Sequence, residues 1–367
     1  MTVAQSDDRR KAGQRLTLSS AFFIIILIVL SVLIYPSFRY VDVREHDIFA
    51  NYNESLRIAH GVNPYARLLE SDMIHNDKYP TYLPLFYVLG AGVINLGLED
   101  FDSWVNFWRW ISLLCMIGIG LILFAQGQMR GKPGVGVLVM ALWLFNRWTM
   151  HVAYIAHTDF LALLPFLLSL LLLDKRPRTA MLLYSVSLAL KHIAILILPL
   201  FLWWGALSVV KMRGEKESLG HRGLDLTKSV ALMGFIAFST IGIVSLPFLI
   251  WDPGAFIRGL AFSVTRQGAD PTPGLNAVLP HHGIAARLPL VIILLFIFYF
   301  GAKNVLSRLE CVVLMILAFL GFNPVFFHQY MVWSLPFLLL LVIEYGLSAR
   351  LAEGEAGTSA AHPRAKM

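Results

Sequence analysis

Apolar residues in this chain run in long blocks rather than alternating with polar ones, and short stretches rich in Lys, Arg, Gly and Pro separate the blocks. A helix needs roughly 20 apolar residues to cross a bilayer, and within lipid its backbone must satisfy its own hydrogen bonds. The pattern predicts an all-α, polytopic integral membrane bundle of about ten crossings. The expected spans are 18–36, 104–126, 133–148, 159–173, 179–190, 193–209, 229–250, 285–302, 309–322 and 329–346. One domain covers 1–350, and 351–367 reads as a disordered cytoplasmic tail.

The basic residues fix the direction of each crossing. They gather at Arg9/Arg10/Lys11/Arg15, Arg130/Lys132, Lys175/Arg176/Arg178, Lys211/Arg213/Lys216 with His221/Arg222, Lys303/Arg308, and Arg350. Placing all of these in the cytoplasm puts both termini there as well. The first apolar run is long for a signal-peptide core and no small-residue cleavage site follows it, so it is expected to stay as the first helix. Thr81–Leu98 is apolar enough to cross, but counting it would move Arg130 and every later cluster outside. It is therefore expected to be a membrane-hugging or re-entrant segment, bent at Pro84, Gly90, Gly92 and Gly97. The short runs around Leu190–Lys191 predict broken helices that end beside a polar cavity.

Composition narrows the function classes. Hydrophobic residues make up 57% of the 367 positions and charged residues 14%, about half the charged fraction of a soluble domain. The net charge of +7 sits in the orienting clusters, which excludes nucleic acid as the expected partner. Cys115 and Cys311 lie in apolar runs and read as small buried hydrophobes.

With this topology the outer face holds a long first loop (39–80), a second one (251–283) and three turns. Of the 11 histidines, nine fall there: His46, His60, His75, His151, His157, His192, His281, His282 and His328. Asp47, Asp159, Lys191, Arg258, Arg266, Tyr52, Tyr65 and Tyr330 share that face. Ionisable residues at helix ends that border a cavity are functional candidates. The set offers cations for a phosphate, carboxylates for proton transfer and aromatic faces for a sugar or lipid, and so predicts an extracytoplasmic active site.

These residues also resemble a known family. Asp47-Ile-Phe-Ala-Asn-Tyr52, Gly61-Val-Asn63-Pro64-Tyr65 and Tyr79-Pro80-Thr-Tyr-Leu-Pro84 are similar to the opening of GT-C superfamily glycosyltransferases, within them glycosyltransferase family 87. His157-Thr158-Asp159-Phe160-Leu161 resembles that family's Gly-Gln-x-Asp-x-Leu element. Lys191 follows an apolar helix as a family lysine does, and His328-Gln329-Tyr330-Met-Val-Trp333-x-x-Pro336 resembles its late element. The third opening element and the His157 stretch are loose versions. The resemblance implies inverting transfer of a hexose, with mannose the expectation. The donor would be a polyprenyl-phosphate sugar, and the acceptor a lipid-linked glycan or glycolipid on the outer face. Membrane lipids are the remaining partners. No nucleotide-sugar loop is visible, and Asp100-Phe-Asp102 reads as an accidental Asp-x-Asp in an acidic turn.

Each candidate has a functional and a plainer reading. Asp47 is expected to be the general base, taking the acceptor proton; otherwise it is a loop carboxylate or a partner of Arg44. Lys191, Arg266, His328 and Arg258 are the candidates for holding the donor phosphate; otherwise Lys191 snorkels and Arg266 pairs with Asp270. His157, Asp159, His192, Asn63 and Tyr330 are expected to shape the substrate pocket. Tyr52, Tyr65 and Tyr79 offer rings for stacking, while Trp333 fits an aromatic belt better. No cofactor is required. A divalent cation is compatible with His157/Asp159/His151 or with His46/Asp47/His281/His282, though no spacing is diagnostic. The alternatives are a polysaccharide polymerase or ligase, and a transporter or flippase of lipid-linked sugars.

Overall fold

A computed structural model describes residues 18–69, 80–213, 219–265, 287–322 and 328–346. Among them the fold is all-helical, as the apolar blocks predict. The helices are α1 (Leu18–Ile34), α2 (Asp47–Ala59), α3 (Leu85–Asn95), α4 (Phe101–Met129), α5 (Pro133–Phe145), α6 (Arg147–Tyr154) and α7 (Asp159–Leu172). They continue with α8 (Pro177–Leu190), α9 (Leu198–Arg213), α10 (Leu219–Trp251), α11 (Pro253–Thr265), α12 (Leu288–Ala302), α13 (Arg308–Phe322) and α14 (Met331–Tyr345).

Among the described residues, four helical segments are long and apolar enough to cross a membrane: Ser20–Tyr40, Phe101–Met129, His192–Met212 and Leu224–Trp251. The pair α5 and α6, bent by 43°, makes a fifth if it counts as one span. Helices α7, α12 and α14 are apolar but shorter, at 14 or 15 residues. These are the surfaces of a membrane protein, although among the described residues fewer helices reach full length than the ten expected crossings.

Local chemistry sets the breaks. Asp100 caps α4 by accepting from the Ser103 N–H at 2.9 Å, and Asp102 pairs with Arg44 at 3.1 Å, so the Asp-x-Asp tripeptide is occupied structurally. Asn146 ends α5 by donating to the carbonyls of Leu142 and Trp143. The same side chain starts α6 by accepting from Trp148 and Thr149 at 2.8 and 3.0 Å, which turns the chain at that residue. Helices α4 and α5 cross closely because Gly127 and Gly136 meet there; a Cβ on Gly127 would lie 2.6 Å from the Gly136 Cα.

Two expectations for the first loop need correction. Residues 47–59 form a helix, α2, which buries Ile48, Asn51, Glu54 and Ser55 along one stripe. Within the segment at 81–98 the chain turns at Pro84 and Gly97, but Gly90 and Gly92 lie inside a helix rather than at bends. That helix is the 11-residue α3, which packs on α2 through Gly90. At about 1.5 Å per residue α3 is too short to cross a bilayer.

Side-chain links define two ends of the bundle. Asp159 opens α7, and Asp174 follows the other end of that helix. Lys191, Trp333 and Asp47 lie at the Asp159 end. Arg308 lies at the Asp174 end, bound to Asp174 at 2.9 Å, and Lys132 donates there to the Ile343 carbonyl. The clusters at Arg130/Lys132, Lys175/Arg176/Arg178 and Arg308 therefore share one end, as placement on one side of a membrane requires.

Candidate active site

Breaks between helices deliver the polar side chains. Helix α6 ends in a Schellman turn: the His157 N–H reaches the Val152 carbonyl at 3.0 Å and the Ala156 N–H reaches Ala153 at 3.2 Å. Ala156 takes the left-handed position of that turn, with φ 52°. The turn swings His157 inward just before Asp159 opens α7. On the facing helix, Lys191 ends α8 in extended backbone (φ −156°, ψ 119°), and a 3₁₀ turn, His192–Ile197, follows. The Tyr184 hydroxyl fixes that turn by donating to the Ala194 carbonyl at 2.6 Å. The predicted break at Leu190–Lys191 is thus present.

The side chains converge on Asp159, which is fully buried. Its Oδ1 accepts from Lys191 Nζ at 2.7 Å and from Trp333 Nε1 at 2.5 Å. Its Oδ2 accepts from His157 Nδ1 at 2.5 Å. The other ring nitrogen, His157 Nε2, lies 3.0 Å from Asp47 Oδ2. The Gln329 amide comes within 3.4 Å of the same nitrogen. Tyr82 and Tyr330 flank the Lys191 ammonium, their ring centroids 5.9 and 5.8 Å away, close enough for cation–π attraction. Exposure changes sharply along this chain of contacts. Asp47 is 41% exposed, whereas His157 is 3% and Asp159 0% exposed.

The geometry restricts the protons. A carboxylate only accepts, and a neutral imidazole has one N–H. With a carboxylate facing each ring nitrogen, the arrangement suits one proton shared between His157 Nε2 and Asp47; whichever of the two carries it, the four groups Asp47, His157, Asp159 and Lys191 sum to zero charge. Burial and the Lys191 charge push the His157 pKa down. Asp159, with the hydrogen bonds to Asp159 and Asp47, pushes it up, and the net direction is up. Asp47 is the first residue of α2, where the helix dipole also favours a carboxylate.

Of the residues expected at the site, Asp47, His157, Asp159 and Lys191 come together, with Tyr330 beside them. His192 stacks obliquely on Tyr82 at 5.8 Å. Lys191 does not snorkel: it is buried and neutralised by Asp159. Arg44 binds Asp42 and Asp102. Three assignments change. Trp333 is buried and hydrogen-bonded to Asp159 rather than sitting in a belt. Tyr65 is fully buried, with its N–H on Asn63 Oδ1 and its hydroxyl on the Tyr82 carbonyl at 2.7 Å. Asn63 and Tyr65 therefore position Tyr82. The Tyr52 ring packs on Phe49, Phe101 and Trp104, with its hydroxyl on the Glu99 carbonyl.

Arg258, on α11, is exposed and its Nε donates to the Gly254 carbonyl on its own helix. Tyr79, Arg266, Asp270, His75, His281, His282 and the tail 351–367 lie outside the described residues, as does the His328 side chain. Sequence reasoning missed Tyr82 as a site residue and left Gln329 inside a motif without a role. Among the described residues no group of three or more His, Cys, Asp and Glu is arranged to hold a metal ion.

No family model matches the chain. Comparison with curated proteins likewise finds no match.

Proposed function

We propose that the chain is a membrane glycosyltransferase that moves a hexose, mannose by the resemblance, from a polyprenyl-phosphate sugar to a hydroxyl of a lipid-linked glycan or glycolipid. The observation that carries this reading is the half-exposed Asp47 carboxylate, tied through His157 to the buried Asp159–Lys191 pair. Burying such a group of charges is costly, and a buried cluster of titratable groups that opens to solvent marks a candidate functional site. Only Asp47 reaches solvent, so it is the group that meets a substrate.

In the proposed step the acceptor oxygen attacks the anomeric carbon and its proton passes to Asp47. The bond from that carbon to the phosphate oxygen breaks, and the electron pair leaves with the phosphate. A single displacement inverts the anomeric centre. His157 holds Asp47 ionised until the proton arrives, and Asp159 with Lys191 fixes the ring. Lys191, already neutralised by Asp159, is a positioning residue in this scheme rather than the phosphate's partner. The reading carries with it the topology expected from the basic clusters: about ten crossings, termini in the cytoplasm and the Asp47 end outside.

The test is transfer by the purified chain in lipid nanodiscs, given a panel of radiolabelled polyprenyl-phosphate hexoses and host lipid extract. New glycosidic product from one donor supports the reading. Movement of sugar lipid across vesicles without a new glycosidic bond would favour the transporter alternative.

A further inference from the structure

Gln329 brings a neutral amide to a site otherwise built of charges, imidazole and aromatic rings. It sits in the 3₁₀ turn His328–Tyr330 that leads into α14. Trp333, about one helical turn further on, supplies the N–H that reaches Asp159. The start of α14 therefore brings one group to each member of the His157–Asp159 pair. The Gln329 side chain is buried, and its amide nitrogen lies 3.4 Å from His157 Nε2. Among the described residues that is its one side-chain hydrogen bond, so the amide serves His157 alone.

The two nitrogens of His157 are bound unequally. Nδ1 lies 2.5 Å from the buried Asp159 Oδ2, and a carboxylate partner keeps a proton on that nitrogen. Nε2 is the nitrogen whose state can change. Protonated, it donates to Asp47 Oδ2 at 3.0 Å. Bare, it needs a donor, and an ionised Asp47 has none to give. Among the described residues the charged and titratable groups around the ring are Asp47 from α2, Asp159 from α7 and Lys191 from the end of α8. Tyr82 and Tyr330 lie beyond the ammonium. Lys191 donates to Asp159 Oδ1 at 2.7 Å and faces the opposite ring nitrogen, Nδ1, at 3.3 Å. Gln329 is the donor placed at Nε2. An unpartnered buried acceptor is unfavourable, so the amide N–H stabilises the neutral ring, while the imidazolium has its stronger partner in the Asp47 carboxylate.

We infer that Gln329 is the positioning residue that takes up His157 Nε2 when the proton shared with Asp47 departs, and that it sets how readily the pair gives that proton up. The balance is one proton. The N–H bond at Nε2 breaks, and the proton leaves to water by way of Asp47, which is 41% exposed. The freed lone pair of Nε2 then accepts the amide N–H of Gln329. The ring keeps its Nδ1–H bond to Asp159 throughout and so keeps its place. The inference concerns the proton on His157 and holds whether or not the chain transfers sugar.

The test is a nitrogen-NMR titration of the full chain in phosphatidylcholine nanodiscs, with histidine rings labelled and the His157 signals identified by their loss in His157→Gln. Gln329→Met keeps the length of the side chain and removes the N–H. In that variant His157 should hold its proton roughly tenfold more tightly, moving the titration midpoint up by about one pH unit. A role in packing alone would lower the melting temperature and leave the midpoint in place. A midpoint that stayed or fell in folded Gln329→Met would overturn the inference. The native chain supplies a second reading should Gln329→Met not fold. Above the midpoint its Nε2 should resonate as a bare nitrogen that accepts a hydrogen bond. A bare nitrogen with no such bond, or an Nε2 that never loses its proton, would overturn the inference as well.

Discussion

The two ends of α7 each carry an aspartate paired with a basic residue, yet the surroundings of the pairs differ completely. At one end Asp159 and Lys191 are 0% and 3% exposed, and a tryptophan and a histidine complete the shell. At the other, Asp174 and Arg308 are 73% and 31% exposed. A solvated pair contributes little, because water competes for both charges. A buried pair is costly to assemble and more costly to halve. The same residue types thus orient a helix at one end and hold a proton-sharing site at the other.

The largest contrast should come from halving each pair. Lys191→Met leaves Asp159 buried with only neutral donors and His157, and is expected to cost about 3–5 kcal/mol in unfolding experiments. Arg308→Ala should cost less than about 1 kcal/mol. If Lys191→Met were as mild as Arg308→Ala, the two ends would not differ as described. The double variant Asp159→Asn/Lys191→Met should recover part of the loss, since it removes both charges.

Much of this contrast was legible in the sequence, and the rest had physical reasons to stay hidden. The break at Lys191 showed as two short apolar runs, and His157-Thr158-Asp159 showed as polar residues at the start of an apolar helix. The helix at 47–59 left a fainter trace. Ile48, Asn51, Ser55 and Ala59 recur at helical spacing and no Gly or Pro interrupts them before Gly61, but two of the four positions are polar. Trp333 was misplaced because a tryptophan near a helix end fits a belt and a buried N–H donor equally well; only its partner, Asp159, distinguishes them. Tyr82 acts through contacts from Tyr65 and Tyr87 that no local pattern encodes.

A smaller effect should appear in the pH dependence. The folded His157 binds its proton more tightly than an unfolded histidine does. Its stabilising contribution is complete below the unfolded value of about 6.5 and is lost as pH rises through the raised folded value. Melting temperature of the native chain should therefore fall as pH increases above about 6.5, with His157→Gln showing a flatter profile. A steeper profile in His157→Gln would argue against the shared proton.

The smallest test compares helix caps. Gly61, Gly97, Gly131 and Asn304 take left-handed positions in turns like that of Ala156, and glycine or asparagine accepts that conformation readily. Alanine at 156 carries strain of about 1 kcal/mol. Ala156→Gly should be neutral or stabilise by up to about 1 kcal/mol, whereas Gly131→Ala, in the turn after α4 at the opposite end, should destabilise by about that much. Equal losses in thermal unfolding would mean the strain is not local to the site.

The most direct measurement is the rate of sugar transfer by Asp47→Asn beside the native chain, with matched melting temperatures. Amide for carboxylate keeps the shape and removes the proton acceptor. A fall of roughly 10²–10⁴-fold is expected for loss of a general base. Transfer at the native rate by well-folded Asp47→Asn would contradict the assignment of Asp47 as the base.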